Sequence, residues 1–378
     1  MAATKEQVLA SLAKVPAPNG TPITEADVLS DVVVSDGKVF FSISVDADAV
    51  ADWEPVRKRA EAAVRAVPGV ESALVALTAE RKPGAAVARP PGGGAGATAG
   101  PPRAAQRGSE TAQAPPGVEA IIAVASGKGG VGKSTTAVNL ALGLSALGLK
   151  VGILDADIYG PSLPKLLAIR ERPQTLGGTR LKPLSRYGLT VMSIGFLIDE
   201  ETPMIWRGPM VISALTQMLR EVEWGALDVM VVDMPPGTGD AQLTMAQQVP
   251  LKGAVIVSTP QDLALIDARR GISMFRRVNV PVLGIVENMS YFLCPQCGTR
   301  SDVFGHGGAR HEAERLGVPF LGEVPLHMTI REKSDEGLPV VATEPDGALA
   351  AAYRGIAEKV RDQLKGGGGR APPKIVIE

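Results

Sequence analysis

Short apolar runs alternate with amphipathic stretches through the last two thirds of the chain. The strand-like runs are Val118–Ser126, Lys150–Asp155, Leu227–Asp233, Ala254–Ser258, Val282–Val286 and Phe320–Val324. Continuous apolar runs of this length are typical of strands buried on both faces of a parallel sheet. Helical patterns separate most of them, and this alternation indicates right-handed βαβ units. We therefore predict an α/β domain over residues 118–364, built on a doubly wound, mainly parallel sheet.

The first 80 residues carry a shorter pattern that predicts a separate, small α/β domain. Its predicted elements are a helix through Val8, Leu9 and Leu12, a hairpin turning at Asp36-Gly37, a helix capped by Asp52 and a strand over Val70–Leu77. Asp-Gly between two apolar runs is a strong hairpin signal. The domain contains neither Cys nor His, so we expect no metal chemistry from this domain alone.

Two segments lack the apolar residues that a packed structure needs. Residues 81–117 consist almost entirely of Ala, Gly, Pro and a few polar residues. Such a segment cannot bury enough apolar surface to offset the entropy of ordering, so we predict a disordered linker. The final helix is predicted over Gly347–Leu364, with Tyr353 and Ile356 on its apolar face, and residues 365–378 are predicted to be a disordered tail.

Residues 126–135 read Ser-Gly-Lys-Gly-Gly-Val-Gly-Lys-Ser-Thr, which fits the phosphate-binding loop G-x-x-x-x-G-K-[ST]. An apolar strand precedes the loop and a helical pattern follows it, so the loop lies at a helix N-terminus, where backbone N–H groups favour phosphate. Lys133 is expected to reach the β- and γ-phosphates, and Ser134 to ligate Mg²⁺. The predicted nucleotide-binding residues here are Gly127, Lys128, Gly129, Gly130, Val131, Gly132, Lys133, Ser134 and Thr135.

Carboxylates end two of the predicted strands. Asp155 and Asp157 follow one apolar run, and Asp233 ends another. The carboxyl ends of strands in an open α/β sheet face the ligand crevice. We predict that Asp155 and Asp233 serve Mg²⁺ and that Asp157 orients the attacking water. The alternative is a pair of exposed turn aspartates at 155 and 157.

The segment after Asp233, residues 235–240, is predicted to be a switch loop that senses the γ-phosphate. A structural turn is the alternative.

Composition excludes several classes of protein. The net charge is −1, which gives no electrostatic footprint for nucleic acid. No apolar run approaches the ~20 residues of a membrane helix, and residues 1–6 lack the apolar region of a signal peptide. We therefore expect a cytoplasmic protein that binds neither nucleic acid nor membrane.

The only cysteines are Cys294 and Cys297, and a cytosolic Cys-x-x-Cys is more typical of a metal or redox site than of a structural disulfide.

These residues together resemble the Mrp/ApbC-type iron–sulfur cluster carrier ATPases. The matching motifs are Lys128 with Asp157, Trp206–Met210, Asp233–Thr244, Asn288-Met289-Ser290 and Cys294–Gly298. The resemblance implies a homodimer in which Lys128 contacts the nucleotide of the other subunit, and adenine recognition near Asn288. The small domain resembles the iron–sulfur assembly domain often fused ahead of this ATPase, although Val15–Gly20 replaces the usual Asp-Pro signature.

The cysteine pair supplies half of a four-thiolate site. Cubane clusters and tetrahedral zinc sites commonly need four ligands, and a symmetric dimer would provide four thiolates across its two-fold axis. A bridging [4Fe-4S] cluster bound by Cys294 and Cys297 of both subunits is the favoured interpretation. A bridging zinc ion, a redox dithiol and two inert thiols are the alternatives. The redox pair would lack the usual following helix, because Gly298 comes directly after it.

The resulting prediction is an ATP- and Mg²⁺-dependent ATPase that carries a [4Fe-4S] cluster between donor proteins and apo-protein clients. Lys128, Lys133 and Asp157 are the predicted catalytic residues. Two alternatives share the P-loop chemistry, namely a positioning or partitioning ATPase of the Min or Par type and a zinc or nickel metallochaperone. The first would need a basic amphipathic helix for membranes or a basic patch for DNA.

Overall fold

The structure is a computed structural model that describes residues 3–26, 28–30, 32–35, 37–46, 49–70, 72–80, 114–176, 180–198 and 208–366. The chain divides into two compact units, Met1–Thr111 with Ile205–Ala214, and Ala112–Met204 with Leu215–Glu378. Most of the predicted linker, the motif residues Trp206 and Arg207, and the tail from 367 onward lie outside the described residues.

Within the residues that the structure describes, the small unit contains two helices and a three-stranded sheet. Its elements are α1 (Lys5–Leu12), β1 (Val33–Ser35), β2 (Lys38–Asp46), α2 (Val50–Arg65) and β3 (Ser72–Glu80). β1 and β2 are antiparallel, with Ser35 opposite Lys38, while β2 and β3 are parallel. The predicted hairpin is confirmed, and Gly37 has a φ of +76°, a conformation that favours glycine.

One core holds this unit together. Apolar side chains of α1, α2 and β2 are buried in it. They include Val8 and Leu12 of α1, Phe41 and Ile43 of β2, and Val56, Ala60 and Val64 of α2. The predicted cap at Asp52 is wrong, because α2 begins at Val50 and Ala49 precedes it without a side-chain cap. Asp52 instead lies in the first turn of the helix, where its carboxylate still interacts favourably with the helix dipole.

The large unit alternates strands and helices. Its elements are β4 (Ile121–Ala125), α3 (Lys133–Ala146), β5 (Val151–Asp155), α4 (Leu163–Leu166), β6 (Leu184–Arg186), β7 (Leu189–Ser193), α5 (Gly208–Arg220, which spans the division between the units), β8 (Val229–Asp233), α6 (Asp240–Gln248), β9 (Gly253–Ser258), α7 (Asp262–Arg277), β10 (Val282–Leu293), β11 (Arg300–Ser301), α8 (Gly308–Leu316), β12 (Phe320–Leu326), α9 (Met328–Glu336), α10 (Val340–Thr343) and α11 (Ala348–Gly366).

These strands form one sheet with the order β11-β10-β9-β4-β8-β5-β7-β6, and β12 pairs with β10. The pairs are parallel except for β6 with β7 and β10 with β11, so the predicted doubly wound, mainly parallel fold is confirmed. β4 lies between β8 and β9, and its continuous burial matches its uninterrupted apolar sequence. The sequence pattern missed the short β6–β7 hairpin and the extension of β10 as far as Leu293.

The ends of this unit differ from prediction by a few residues. Gly117 was assigned to the linker, but its carbonyl accepts a hydrogen bond of 2.8 Å from the N–H of Leu227. α11 runs to Gly366, two residues into the predicted tail. Its apolar face, including Tyr353, Ile356 and Val360, is buried, and Gly143 of α3 permits its close approach. None of the described helices is long and apolar enough to cross a membrane.

Candidate nucleotide-binding site and cysteine pair

The glycine-rich segment forms a loop between β4 and α3, as its sequence predicted. β4 ends at Ala125 and α3 begins at Lys133. Gly130 and Gly132 have φ values of +77° and +79°, which residues with a side chain adopt only under strain. The loop therefore curls over the N-terminus of α3, where unpaired N–H groups and the helix dipole provide a binding place for an anion.

Lys133 lies at the centre of the charged groups. Its Nζ is 2.6 Å from Oδ1 of Asp233 and 3.7 Å from Oδ2 of Asp157, and it donates to Oγ of Ser134 at 3.3 Å. Oδ2 of Asp233 is buried without a hydrogen-bond partner among the described residues. A buried carboxylate oxygen without a partner is costly, so this atom is available to a bound cation or to an ordered water.

Asp155 is fully buried beside Asp233, and the two residues are direct partners across β5 and β8. Its oxygens accept hydrogen bonds from the N–H groups of Asp157, Ser162 and Leu163 and from Oγ of Ser193. Burial, followed by the charge of Asp233, raises the pKa of Asp155 to about 7. Because both oxygens hold the segment after β5 in place, the geometry directly supports an anchoring role for this carboxylate.

Asp157 faces the space above the loop. It lines the same cavity as Lys128, Lys133 and Ser134. Burial raises the pKa of Asp157, and the nearby Lys133 ammonium opposes that shift. A carboxylate that is partly buried, close to a cation and open to a cavity can accept a hydrogen bond from a water molecule held there.

The cavity has a volume of about 430 Å³ and also contacts residues that the sequence patterns did not reveal. Part of its lining consists of Lys165 and Leu166 from α4 and Ser334 and Asp335 from α9. α4 and α9 meet where Gly337 packs against the backbone of Ala168. No local sequence pattern marks these side chains, because they reach the loop only through tertiary packing.

The predicted switch loop is joined to the phosphate-binding loop by its backbone. The N–H of Gly237 donates to the carbonyl of Ser126 at 3.0 Å, and the N–H of Ala156 donates to the carbonyl of Asp233 at 2.9 Å. Pro236 lines the cavity. The segments after β4, β5 and β8 are therefore in direct contact, and a phosphate-sensing role of residues 235–240 stays a prediction.

Asn288 contacts the backbone of the phosphate-binding loop. Its Nδ2 donates to the carbonyl of Val131 at 2.8 Å, and a Cβ added at Gly132 would collide with the same amide group. Asn288 is not among the residues lining the cavity. Its contact with the loop backbone gives it a structural role, and adenine recognition by Asn288 stays a prediction.

The two cysteines lie at the far end of β10, on the hairpin that leads to β11. The N–H of Cys294 donates to the carbonyl of Thr299 at 3.0 Å, and the N–H of Gly298 donates to the carbonyl of Cys294 at 2.8 Å. Cys297 is exposed and Cys294 is partly buried. Hydrogen bonding with the side chain and then the backbone of Thr299, followed by the side chain of Cys294, lowers the pKa of Cys297.

This hairpin offers a metal ion only two ligands from its own chain. Among the described residues, no group of three or more His, Cys, Asp or Glu side chains is arranged to hold a metal ion. The nearby His306 instead accepts a hydrogen bond from Arg300 at its Nδ1, at 2.8 Å. No helix follows the pair, which matches the sequence argument against a thioredoxin-like dithiol.

Comparison with known proteins gives two family matches. The family described as "NUBPL iron-transfer P-loop NTPase" matches residues 117–361, and that described as "Iron-sulfur cluster assembly protein" matches residues 5–75. The "Iron-sulfur cluster carrier protein" of Escherichia coli K12 is 55% identical over 260 residues, covering 68% of this chain and 70% of the relative. The Synechocystis protein of the same name is 43% identical over 350 residues, covering 90% and 92%.

Solved structures show the same fold. A nucleotide-binding protein from Archaeoglobus fulgidus in complex with ADP aligns with a TM-score of 0.54 and 40% identity, covering 61% of this chain and 90% of that one. The cell division ATPase MinD of Pyrococcus furiosus aligns with a TM-score of 0.50 at 22% identity, covering 64% and 98%, and this second likeness concerns the fold alone.

Proposed function

Since the chain belongs to the Mrp/ApbC/NUBPL-type family of iron–sulfur cluster carrier P-loop NTPases, with an N-terminal iron–sulfur assembly domain, we propose that it hydrolyses ATP and transfers a [4Fe-4S] cluster to apo-proteins. The observation that carries the proposal is the combination of one complete phosphate-binding loop with one half-complete thiolate site. The loop has its lysine and carboxylates in place, whereas the hairpin supplies only Cys294 and Cys297.

The residues around Lys133 fit a magnesium nucleotide. The unpaired Oδ2 of Asp233 and the hydroxyl of Ser134 are the hard oxygen ligands that Mg²⁺ prefers. Asp155 would support them, because its oxygens already bind the segment after β5. When bound, the ion neutralises charge on the phosphates. In the free protein the ammonium of Lys133 is held by Asp233, so binding of phosphate requires Lys133 to exchange a carboxylate for a phosphate oxygen.

The protein's own groups then perform the rest of the chemistry. The N–H groups of Gly127–Thr135 hold the phosphates, with Lys133 beside the transferred group. Asp157, which lines the same cavity 3.7 Å from Lys133, orients the attacking water. Lys128 also lines the cavity but forms no ion pair or side-chain hydrogen bond within the described part of the chain. It is therefore free to contact the nucleotide of a second subunit.

The cluster is the cargo of this carrier. Two copies of the chain supply four thiolates, which complete the ligand set of one cubane. The exposure of Cys297 suits a cluster that has to be passed on. A pair of reduced thiols also fits a reducing compartment, and we place the protein in the cytoplasm for that reason. Cluster donors and apo-protein clients are its expected partners.

Anaerobic reconstitution with iron and sulfide tests this function. The wild type should bind about four irons per dimer, as one cubane requires, and the Cys294→Ala/Cys297→Ala variant should bind none. Cys294→Ser/Cys297→Ser is the matched control for side-chain size. Iron content, Mössbauer spectrum and oligomeric mass are measured on the same sample. A wild type that binds zinc in preference, or that forms an unchanged dimer without metal, would contradict the proposal.

A further inference from the structure

The two thiols of the hairpin differ in their surroundings. Cys294 is partly buried, and both polar groups of its backbone are hydrogen-bonded within the hairpin, to Thr299 and Gly298. Cys297 is exposed, and the described residues show no such pair of backbone hydrogen bonds at it. The hairpin therefore anchors the backbone of Cys294 and presents the side chain of Cys297 to solvent, so the two ligands of a shared metal site are not equivalent.

Thr299 provides the main side-chain hydrogen bond to the exposed sulfur, and Cys294 provides a lesser one. Sγ of Cys297 and Oγ1 of Thr299 are 3.1 Å apart, with the thiol donating to the hydroxyl in the metal-free protein. A thiolate bound to a metal has no proton to donate. In that state the hydroxyl of Thr299 becomes the donor and the sulfur becomes the acceptor.

Arg300, which follows Thr299 in the chain, is engaged elsewhere. The guanidinium of Arg300 donates to Asp302 at 3.0 Å and to His306 at 2.8 Å, and it lies over the ring of Tyr291. It therefore does not compete for the sulfur of Cys297. The hydrogen bond from Thr299 can accordingly be removed without changing the charge of the hairpin.

We propose that Thr299 is a positioning residue that makes Cys297 the exchangeable ligand of the cluster; this inference rests on the proposed carrier function. A hydrogen bond to a ligating sulfur reduces the electron density that the sulfur gives to iron, so it weakens the iron–sulfur bond and stabilises the departing thiolate. In the exchange, the bond from iron to Cys297 breaks as a bond from iron to a client thiol forms. The proton of the client thiol passes to Cys297, and no electron is transferred.

The experiment compares wild type, Thr299→Val and Thr299→Ser as full chains. Valine keeps the shape of the side chain without the hydroxyl, and serine restores the hydroxyl, while all three keep the backbone bond to Cys294. Loss of the reconstituted cluster to a small competing dithiol should be roughly two- to ten-fold slower in Thr299→Val, the range expected for one hydrogen bond. Thr299→Ser should match the wild type.

A second readout uses the metal-free protein. Limited alkylation with iodoacetamide, mapped by mass spectrometry, should favour Cys297 over Cys294 in the wild type and in Thr299→Ser, and this preference should shrink in Thr299→Val. The alkylation ratio decides between the outcomes even if Thr299→Val fails to bind iron. Equal release rates and equal alkylation ratios in all three proteins would overturn the inference. A wild type that binds no iron would overturn the proposed function instead.

Discussion

At the scale of single residues, the carboxylates near the phosphate-binding loop have different surroundings despite their similar positions in the sequence. Asp233 pairs with Lys133, Asp155 accepts hydrogen bonds from its own strand-end loop, and Asp157 faces the cavity. From these surroundings we propose different roles for the three carboxylates: Asp233 would hold a cation, Asp155 holds the loop, and Asp157 would face the reacting groups.

Asp157→Asn should lower the rate constant of ATP hydrolysis by about 10²-fold or more, because an amide cannot act as a carboxylate toward the attacking water. Nucleotide affinity should change little, since the loop and Lys133 remain. Steady-state hydrolysis and equilibrium nucleotide binding measure the two effects. Asp346→Asn, at an exposed site, is the control. An Asp157→Asn enzyme with the wild-type rate would exclude Asp157 from the chemistry.

Asp155 should make the stability of the nucleotide-free protein depend on pH. Its pKa of about 7 in the folded protein exceeds the value of about 3.9 in an unfolded chain. Its contribution to stability is therefore complete below about pH 4 and is lost as the pH rises through about 7. Between about pH 5 and pH 8, the free energy of unfolding of the wild type should fall by about 2 kcal/mol relative to Asp155→Asn.

Denaturant unfolding of both proteins, without divalent metal, measures this difference. Asparagine at position 155 keeps one of the two acceptor oxygens and has no titrating group in this range, so the comparison uses the slope with pH and not the absolute stability. If the free energies of unfolding of the two proteins changed with pH in parallel, Asp155 would have an ordinary pKa in the folded state.

At the scale of elements, the contact between α4 and α9 contributes to the lining of the cavity beside the phosphate-binding loop. A Cβ at Gly337 would come within 2.8 Å of Cα of Ala168, and the φ of Gly337 is +72°. Tyr187 also donates to the carbonyl of Gly337 at 3.0 Å. The end of α9 is therefore fixed against the end of α4, and with it the positions of Ser334 and Asp335.

Gly337→Ala should destabilise the protein by about 2–4 kcal/mol, which combines backbone strain with the collision, and it should weaken nucleotide binding. Gly148→Ala is the matched control, because Gly148 has a φ of +87° with open space around it; it should cost only the strain, about 1–2 kcal/mol. Thermal unfolding and nucleotide titration measure both. Equal losses of stability and of nucleotide affinity in the two variants would show that the α4–α9 contact contributes to neither.

At the scale of the whole molecule, the chain is complete for binding a nucleotide and incomplete for binding a cluster. Lys133 has partners within its own chain, while the side chain of Lys128 has none in the described residues. The hairpin supplies two thiolates where a cubane needs four. The proposed homodimer would remove both deficits, because a second copy of the chain brings a second Lys128 and two more thiolates.

Lys128→Ala should therefore bind ADP about as well as the wild type but fail to dimerise with ATP, because the amine it lacks would contact the partner's nucleotide. Sedimentation velocity with ATP and with ADP measures the oligomeric mass. Lys165→Ala, which removes another lysine at the rim of the same cavity, controls for loss of charge alone. An ATP-dependent dimer of Lys128→Ala would contradict the assigned role.

The sequence by itself determined the features whose causes are local. The apolar run before Gly127 and the helical pattern after Lys133 predicted strand, loop and helix correctly, because burial on both faces and helical periodicity each leave a repeat in the chain. The turn at Asp36-Gly37 was also predicted correctly, because the residues that form it are neighbours in the sequence. The Asp52 cap was misassigned because helix boundaries depend on neighbouring packing as well as on capping residues.

Only the tertiary structure decided which side chains meet. Lys165, Ser334 and Asp335 join the cavity from distant helices, and Asn288 reaches the carbonyl of Val131 across 157 positions in sequence. The pKa of Asp155 depends on its burial beside Asp233, which no local pattern encodes. Backbone propensity acts over a few residues, whereas burial, charge pairing and hydrogen bonding depend on distances in space, and those distances are set when the strands of the sheet pair.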